Sequence, residues 1–232
     1  MISIIIPTLN EQTYLPRLLA SIKQQDYCDY EIIVADAGST DSTRSIAVSS
    51  GCRLVQGGRP AAGRNRGAEI AKGHLLLFLD ADITLPPDFL SKTITEFEKR
   101  HLGIAGFDIV LVGGRVFDTL INRGYRLFAF AFQRICPQSQ MAIMAHKEAH
   151  QKIGGFDESI VLLEDFCYVG AMRKVSCYGY IRQSIFFNDR RYRQDGWIIY
   201  PKYVLAEFYT IFIGPIRSDM FKYKFNHYKK NK

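Results

Sequence analysis

Cysteine is sparse in this 232-residue chain, and its five copies are not arranged for chemistry. Cys28, Cys52, Cys136, Cys167 and Cys177 are odd in number, scattered, and never in a Cys-x-x-Cys spacing. That excludes a zinc ribbon and a disulfide framework, and it predicts a reducing compartment with all five as small buried hydrophobes. No Gly-x-Gly-x-x-Gly follows the first apolar run, where Pro7-Thr8-Leu9-Asn10 stands instead. A Rossmann dehydrogenase and the Gly-rich phosphate loop of a nucleotidyltransferase are thereby removed. An unbroken apolar stretch of about 20 residues, the length of a membrane-spanning helix, is also missing. The nearest candidate, Trp197 to Ile216, is interrupted by Pro201, Lys202, Glu207 and Pro215. Met1 to Pro7 lacks the basic lead of a secretory leader and reads as a strand. Internal repeats, low-complexity linkers and abrupt shifts in composition are absent too, so one domain is expected.

Charge is nearly balanced over most of the chain. Between Arg217 and Lys232 six basic residues face one acid, which leaves +5 of the total +7 in that tail. Charge concentrated there points to an anionic membrane surface and away from nucleic acid, the usual guess for a pI of about 9.1.

What is present is alternation. Ile2–Ile6 is a continuous aliphatic run, suited to a strand buried on both faces. Leu15, Leu18, Leu19 and Ile22 follow helical spacing. Strands are expected at Glu31–Val34, Cys52–Val55 and Leu75–Leu79, with helices at Ser42–Ser50, at Ala61–Lys72 and from Pro86-Pro87 to about Lys99. Strand and helix alternating at this interval imply βαβ units: an α/β fold, a mostly parallel central sheet and helices on both faces. Beyond residue 100 the pattern loosens. Ile104–Val112 and Met141–Ala145 read as strands, Arg115–Cys136 as an aromatic-rich helix, and a further helix follows Glu164-Asp165 to about Ser176.

Ligands of such sheets bind beyond the carboxyl ends of the strands, and there the polar residues collect. Thr8, Asn10 and Glu11 follow the first strand, Asp36 the second, Asp80 and Asp82 the fourth. Two carboxylates two apart at the end of a buried strand can share Mg²⁺ or Mn²⁺ with a diphosphate, because these hard cations prefer oxygen ligands. The alternative is two solvated loop acids. Asp36 can accept hydrogen bonds from a base or ribose; Asn10 and Glu11 could equally cap the first helix, and Gly38 to Ser42 reads as a turn and cap before the second.

Taken together, Ile5-Ile6-Pro7-Thr8-Leu9-Asn10-Glu11, Val34-Ala35-Asp36-Ala37-Gly38-Ser39-Thr40-Asp41 and Phe78-Leu79-Asp80-Ala81-Asp82 resemble the opening of family 2 glycosyltransferases of GT-A fold. Gly154-Gly155-Phe156-Asp157-Glu158, Glu164-Asp165 and Arg190-Arg191-Tyr192 before Gly196-Trp197 extend the resemblance to about residue 197. The resemblance implies an inverting, metal-dependent enzyme with a GT-A domain over 1–197, a nucleotide-binding half over about 1–100 and an acceptor half over about 101–197. Pro7, Thr8, Asn10, Glu11 and Asp36 would line the nucleoside pocket; Asp80 and Asp82 would face ribose, diphosphate and metal. Asp165 would be the catalytic base with Glu164 beside it, although both acids could instead cap their helix. Arg64 would lie near the nucleotide or on a helix surface. Arg190 and Arg191 could offset charge on the departing diphosphate, and their departure from the Gln-x-x-Arg-Trp pattern of processive members favours transfer of a single sugar.

The implied partners are a nucleotide-sugar donor, UDP-linked by default, and a glycan or lipid-linked acceptor. A base beside the acceptor favours a hydroxyl over a polyprenyl phosphate, which is already an anion. Residues 198–232 read as an aromatic and basic segment lying at the cytoplasmic face of a membrane. A non-catalytic scaffold that binds nucleotide sugars is the competing reading. Oligomeric state is open.

Overall fold

Residues 1–113, 116–133, 141–188 and 199–218 are described by the computed structural model. Two strands that are apolar on both faces set its architecture. β1 (Ile2–Thr8) turns Ile2, Ile4 and Ile6 to one side of the sheet and Ile5 to the other. β4 (Leu75–Leu79) does the same with Leu75, Leu77 and Leu79 against Leu76 and Phe78. Side chains alternate along a strand, so both faces must be covered to remove this surface from water. α1 (Leu15–Lys23) and α4 (Phe89–Lys99) cover one face through Leu15, Leu18, Ile22, Phe89 and Phe97. On the other face α3 (Pro60–Ile70) brings Ala61 and Ala68, and α7 (Glu164–Met172) brings Tyr168, Val169 and Met172.

The remaining elements are β2 (Tyr30–Asp36), α2 (Thr43–Ser49), β3 (Arg53–Gln56), β5 (Ile83–Thr84), β6 (Ile104–Val112), α5 (Val116–Phe132), β7 (Ala142–His146), α6 (Lys147–Lys152), β8 (Tyr178–Asn188) and α8 (Ile199–Phe212). The eight strands form one sheet in the order β3-β2-β1-β4-β7-β6-β8-β5. Pairing is parallel from β3 to β4 and between β6 and β8. β7 runs antiparallel between β4 and β6, and β5 runs antiparallel to β8. The parallel half is the one expected from the alternation; the antiparallel pairings enter with the second half.

Four elements were not anticipated. β5 has only two residues and α6 only six, too few to carry a period. β8 has its alternation broken by a register shift: Phe107 pairs with Ile181, but Asp108 pairs with Ser184. α8 forms although Pro201 lies within it, because Pro201 falls in the first turn, where backbone N–H groups have no intrahelical acceptor. The expectation of five buried cysteines needs correction. Cys52 is buried and Cys167 half-buried, but Cys28 and Cys177 sit exposed in connecting segments that run over the surface; all four are free thiols, and Cys136 lies outside the described residues.

Two packing devices hold functional elements in place. On α3, a Cβ at Gly63 would stand 3.2 Å from the Pro7 Cβ, and one at Gly67 only 2.4 Å from the Ile5 Cγ2. These glycines let the helix approach β1 closely. α5, in contrast, is attached by polar groups. Asn122 donates to the Ile109 carbonyl and accepts from the Leu111 N–H, both at 3.2 Å. Arg126 grips both oxygens of Asp108 at 2.7 and 2.5 Å, and Tyr180 and Ser184 donate to the same carboxylate. Burial raises the Asp108 carboxyl, but these donors outweigh it and hold it below the usual range.

The two helical glycine settings predict opposite responses. Gly67→Ala should lower stability by about 1–2 kcal/mol, since overpacking outweighs a helix-propensity gain of about 1 kcal/mol. Gly124→Ala, exposed on α5 with nothing within 4 Å of the added Cβ, should raise stability by about 0.5–1 kcal/mol. Urea unfolding of both variants checks the pair.

Candidate active site

The loops after β1 and β2 are laced together by side chains. Asp36, 2% exposed, accepts from the Thr8 hydroxyl at 3.3 Å, from the Ser39 hydroxyl at 2.5 Å, and from the N–H groups of Gly38 and Ser39 at 3.0 Å each. Asn10 takes the left-handed conformation, φ 56°, tolerated by asparagine. Its N–H donates to the Ser39 hydroxyl, and its side-chain oxygen accepts from the Thr40 N–H, both at 2.9 Å. The Glu11 N–H donates to the Thr43 hydroxyl at 2.8 Å. Asp41 joins in by accepting from Thr43 and Gln12; these bonds outweigh burial and hold its carboxyl below the usual range. The alternative in which Asn10 or Glu11 caps α1 is not what forms: the N-cap position is Tyr14, and it makes no side-chain cap bond. Pro7 is half-buried, packed against the Gly63 backbone, and Thr8 is buried. The expected nucleoside-pocket residues therefore lie together at the carboxyl ends of β1 and β2.

Arg64 is the centre of the site. It is not a surface residue of α3 but buried, with one guanidinium nitrogen 2.9 Å from Asp80 and another 2.8 Å from Glu164. The guanidinium lies 5.3 Å over the ring of Phe156. Burial alone would disfavour the charge; the carboxylates of Asp80, Glu164 and Asp165 outweigh that and raise its pKa further. Its Nε is buried with no partner among the described residues. The next residue, Asn65, accepts from the Phe156 N–H at 2.8 Å and donates to the Phe156 carbonyl at 2.9 Å. Arg64-Asn65 thus ties α3 to the segment that leads into α7.

That segment ends at Leu163, in left-handed conformation with φ 62°, and the helix starts with Glu164 and Asp165. Leu163 holds the N-cap position, and no side chain caps there, so neither acid is the cap residue. Asp165 is half-buried and accepts from the Phe166 N–H at 2.8 Å. Burial and the neighbouring charge of Glu164 push its carboxyl up to about 7, against the opposing pull of Arg64. Beneath lies an aromatic cluster that the sequence did not disclose. Phe156 and Tyr168 stack at 3.8 Å, Phe78 packs edge-on to both, and His150 hydrogen-bonds the Tyr168 hydroxyl at 2.9 Å. Burial, with Lys147 adding to it, lowers the His150 pKa to about 4, so this imidazole is neutral at physiological pH.

Asp80 and Asp82 both keep partial exposure at the end of β4, the Asp80 side chain at 31%. Among the described residues no group of three or more His, Cys, Asp or Glu could hold a metal alone. Two hard carboxylates beside an open face suit Mg²⁺ or Mn²⁺ whose remaining ligands come from water and a diphosphate. Arg190 and Arg191 lie outside the described residues.

Comparison with known proteins bears on the family and the fold. Validoxylamine A glucosyltransferase of Streptomyces hygroscopicus subsp. limoneus is 34% identical over 121 residues, covering 48% of this chain and 26% of that protein. A PGL/p-HBAD biosynthesis glycosyltransferase of Mycobacterium bovis is 45% identical over 95 residues, covering 37% of this chain and 36% of its own length. The chain thus matches only about a quarter to a third of these relatives. Among solved structures, the mannosyltransferase PcManGT from Pyrobaculum calidifontis, in complex with GDP-Man and Mn²⁺, superposes with a TM-score of 0.72 at 20% identity, over 90% of this chain and 63% of that one. S. aureus TarS in complex with UDP-GlcNAc gives 0.68 at 20% identity, over 82% and 58%. These likenesses show the GT-A-like α/β fold expected from the sequence. The profile described as "Glycosyl transferase family 2" matches residues 3–156, more than half of the chain, and the protein belongs to that family.

Proposed function

We propose that this chain moves one sugar from a nucleoside-diphosphate sugar to an acceptor hydroxyl, inverting the anomeric carbon. The observation that carries the proposal is the buried Arg64 bridge, which joins Asp80 at the end of β4 to Glu164 beside Asp165. Donor-side and acceptor-side acids are held at one guanidinium. In this reading Pro7, Thr8, Asn10, Glu11 and Asp36 wall the nucleoside, residues 1–100 form the donor half and 101–197 the acceptor half. Asp36 already has its carboxylate oxygens engaged by its own loop, so it shapes that wall as well as contacting base or ribose. Arg190 and Arg191 serve the diphosphate or acceptor.

Asp80 and Asp82 would hold Mg²⁺ or Mn²⁺, and the bound cation supplies charge neutralisation for the departing diphosphate. The Nε of Arg64, which has no partner among the described residues, would be a further donor for an anionic oxygen. Asp165 takes the proton of the acceptor hydroxyl as that oxygen attacks, and a raised pKa suits a base working near neutrality. A single displacement with one base inverts configuration. The need for a base favours a hydroxyl, on a glycan or a lipid-linked glycan, over a polyprenyl phosphate. UDP is the default donor nucleotide, supported by the UDP-GlcNAc complex of one fold neighbour; the GDP-Man and Mn²⁺ in another support metal use and keep GDP in the test. Intact Asp80, Asp82 and Asp165 argue against a non-catalytic scaffold.

Calorimetric titration with UDP, GDP, CDP and dTDP, each with and without Mn²⁺, tests the donor half. One nucleotide should bind, and its affinity should fall about tenfold or more, 1.4 kcal/mol or more, without metal or in Asp82→Asn. Metal-independent binding, or none by any nucleotide, contradicts the reading.

The base predicts a second pair of effects. kcat/KM should rise with pH through about 7, and Asp165→Asn should lower it by about 10²–10⁴-fold. The same variant should gain stability. An unfolded aspartate titrates near about 3.9, so between that pH and about 7 the folded chain holds a proton the unfolded chain has lost. This group's contribution is full below the lower value and is lost as pH rises through the upper one. Asp165→Asn should therefore raise Tm more at pH 8 than at pH 5; equal gains, or a loss at pH 8, contradict the assignment.

A further inference from the structure

α5 is built inside out. The groups that fasten it to β6 are polar, Asn122 and Arg126, with the small Ala129 buried beside them, and most of the groups it turns to solvent are apolar. Phe117, Leu120, Leu127 and Phe128 are all exposed, Leu120 at 62% and Leu127 at 67%. Helical spacing aligns them on one side, since residues three and four apart share a face. α8 also turns large apolar side chains outward. It buries Ala206 and leaves Leu205, Phe208, Ile211 and Phe212 exposed, Phe212 at 77%. The two helices border the same part of the molecule: Tyr125 on α5 lies within electrostatic range of Glu207 on α8 and of Asp165. Ala206 packs on Leu162 and Leu163, the residues that lead into Glu164, and the Val161 N–H donates to the Ile216 carbonyl at 2.8 Å. The exposed apolar surface therefore adjoins the acceptor-side acids.

Charge selects the occupant. Among the described side chains of α5 and α8, the exposed charges are Arg123 and Lys202, both basic, while Asp118 and Glu207 are half-buried. The chain from Arg217 to Lys232 adds a net +5. A second copy of this surface would set like charges against each other; an anionic lipid surface complements them. None of the described helices is long and apolar enough to cross a membrane. At 1.5 Å per residue the 17 residues of α5 and the 14 of α8 span about 26 and 21 Å, short of the roughly 30 Å hydrocarbon core.

We propose that the outward faces of α5 and α8 seat this protein on an anionic bilayer, so that the acceptor reaches Asp165 from the membrane surface and is lipid-linked. The acceptor half of this statement rests on the glycosyl-transfer reading; the docking half does not. The full chain should sediment with vesicles of phosphatidylcholine containing one third phosphatidylglycerol and far less with phosphatidylcholine alone, and added salt should weaken binding through screening. Leu127→Glu and Phe208→Glu should each reduce partitioning about tenfold or more, since each removes the burial of one large apolar side chain. In a Trp197→Phe background, brominated lipid should quench the tryptophan of Phe212→Trp, since Phe212 is exposed on the outward face of α8. Both variants should keep the thermal midpoint and the Mn²⁺-dependent nucleotide affinity, which separates failure of docking from failure of the transferase reading. No partitioning, or no quenching of that introduced tryptophan in bound protein, overturns the proposal. So does a concentration-dependent dimer in sedimentation velocity that the same substitutions dissociate, which would assign the face to a second copy.

Discussion

A buried guanidinium between carboxylates from two parts of the chain is the constraint on which this site depends. Removing an ion pair from water costs several kcal/mol per charge, and breaking one partner of a buried pair typically costs about 3–5 kcal/mol. Arg64 is tolerable in the interior only because Asp80 and Glu164 both reach it, with Asp165 close enough to contribute. Satisfying it dictates much else. α3 must lie close against β1, which Gly63 and Gly67 permit. The segment before α7 must return to α3, which Asn65 enforces by binding both the N–H and the carbonyl of Phe156. Residues 100 positions apart in sequence, Arg64 and Glu164, become neighbours.

The same arrangement sets the electrostatics around Asp165. Asp165 stands where burial and Glu164 oppose its charge, while Arg64 moderates the opposition. The result is a carboxylate near neutrality in pKa, at some loss of stability, a trade-off common at active sites. At the end of β4 the carboxylates of Asp80 and Asp82 keep partial solvent access. Between them, the neutral His150 and the stacked Phe156 and Tyr168 form a dry floor that holds the geometry without adding charge.

The donor half was largely legible in the sequence because its signals are local. A strand buried on both faces reads as a continuous aliphatic run, and Ile2–Ile6 and Leu75–Leu79 fall where β1 and β4 form. The strand-end positions of Thr8, Asp36 and Asp80 follow from the same rule. What could not be read was long-range. Arg64 looked as much like a surface arginine as a ligand-site residue, since its partners Asp80 and Glu164 lie 16 and 100 residues away. β8 was hidden by the shift opposite Asp108 that breaks its alternation. The apolar residues of α5 could be read from the sequence as membrane surface, as a cover over the acceptor site or as core, because periodicity shows that one face differs from the other but not which face turns inward. Asn122 and Arg126 reverse the usual orientation, through partners on β6 that only the fold brings near.

The most direct test of the Arg64 bridge is a double-mutant cycle on folding stability in urea, using Arg64→Met, Glu164→Gln and the pair together. The account predicts that the two changes are strongly non-additive, with a coupling of about 1–3 kcal/mol, because each single variant strands a buried polar group that the double variant releases. Additive losses, within about 0.5 kcal/mol, would mean that Arg64 and Glu164 do not sense each other in solution and would contradict the bridge as the organiser of the site.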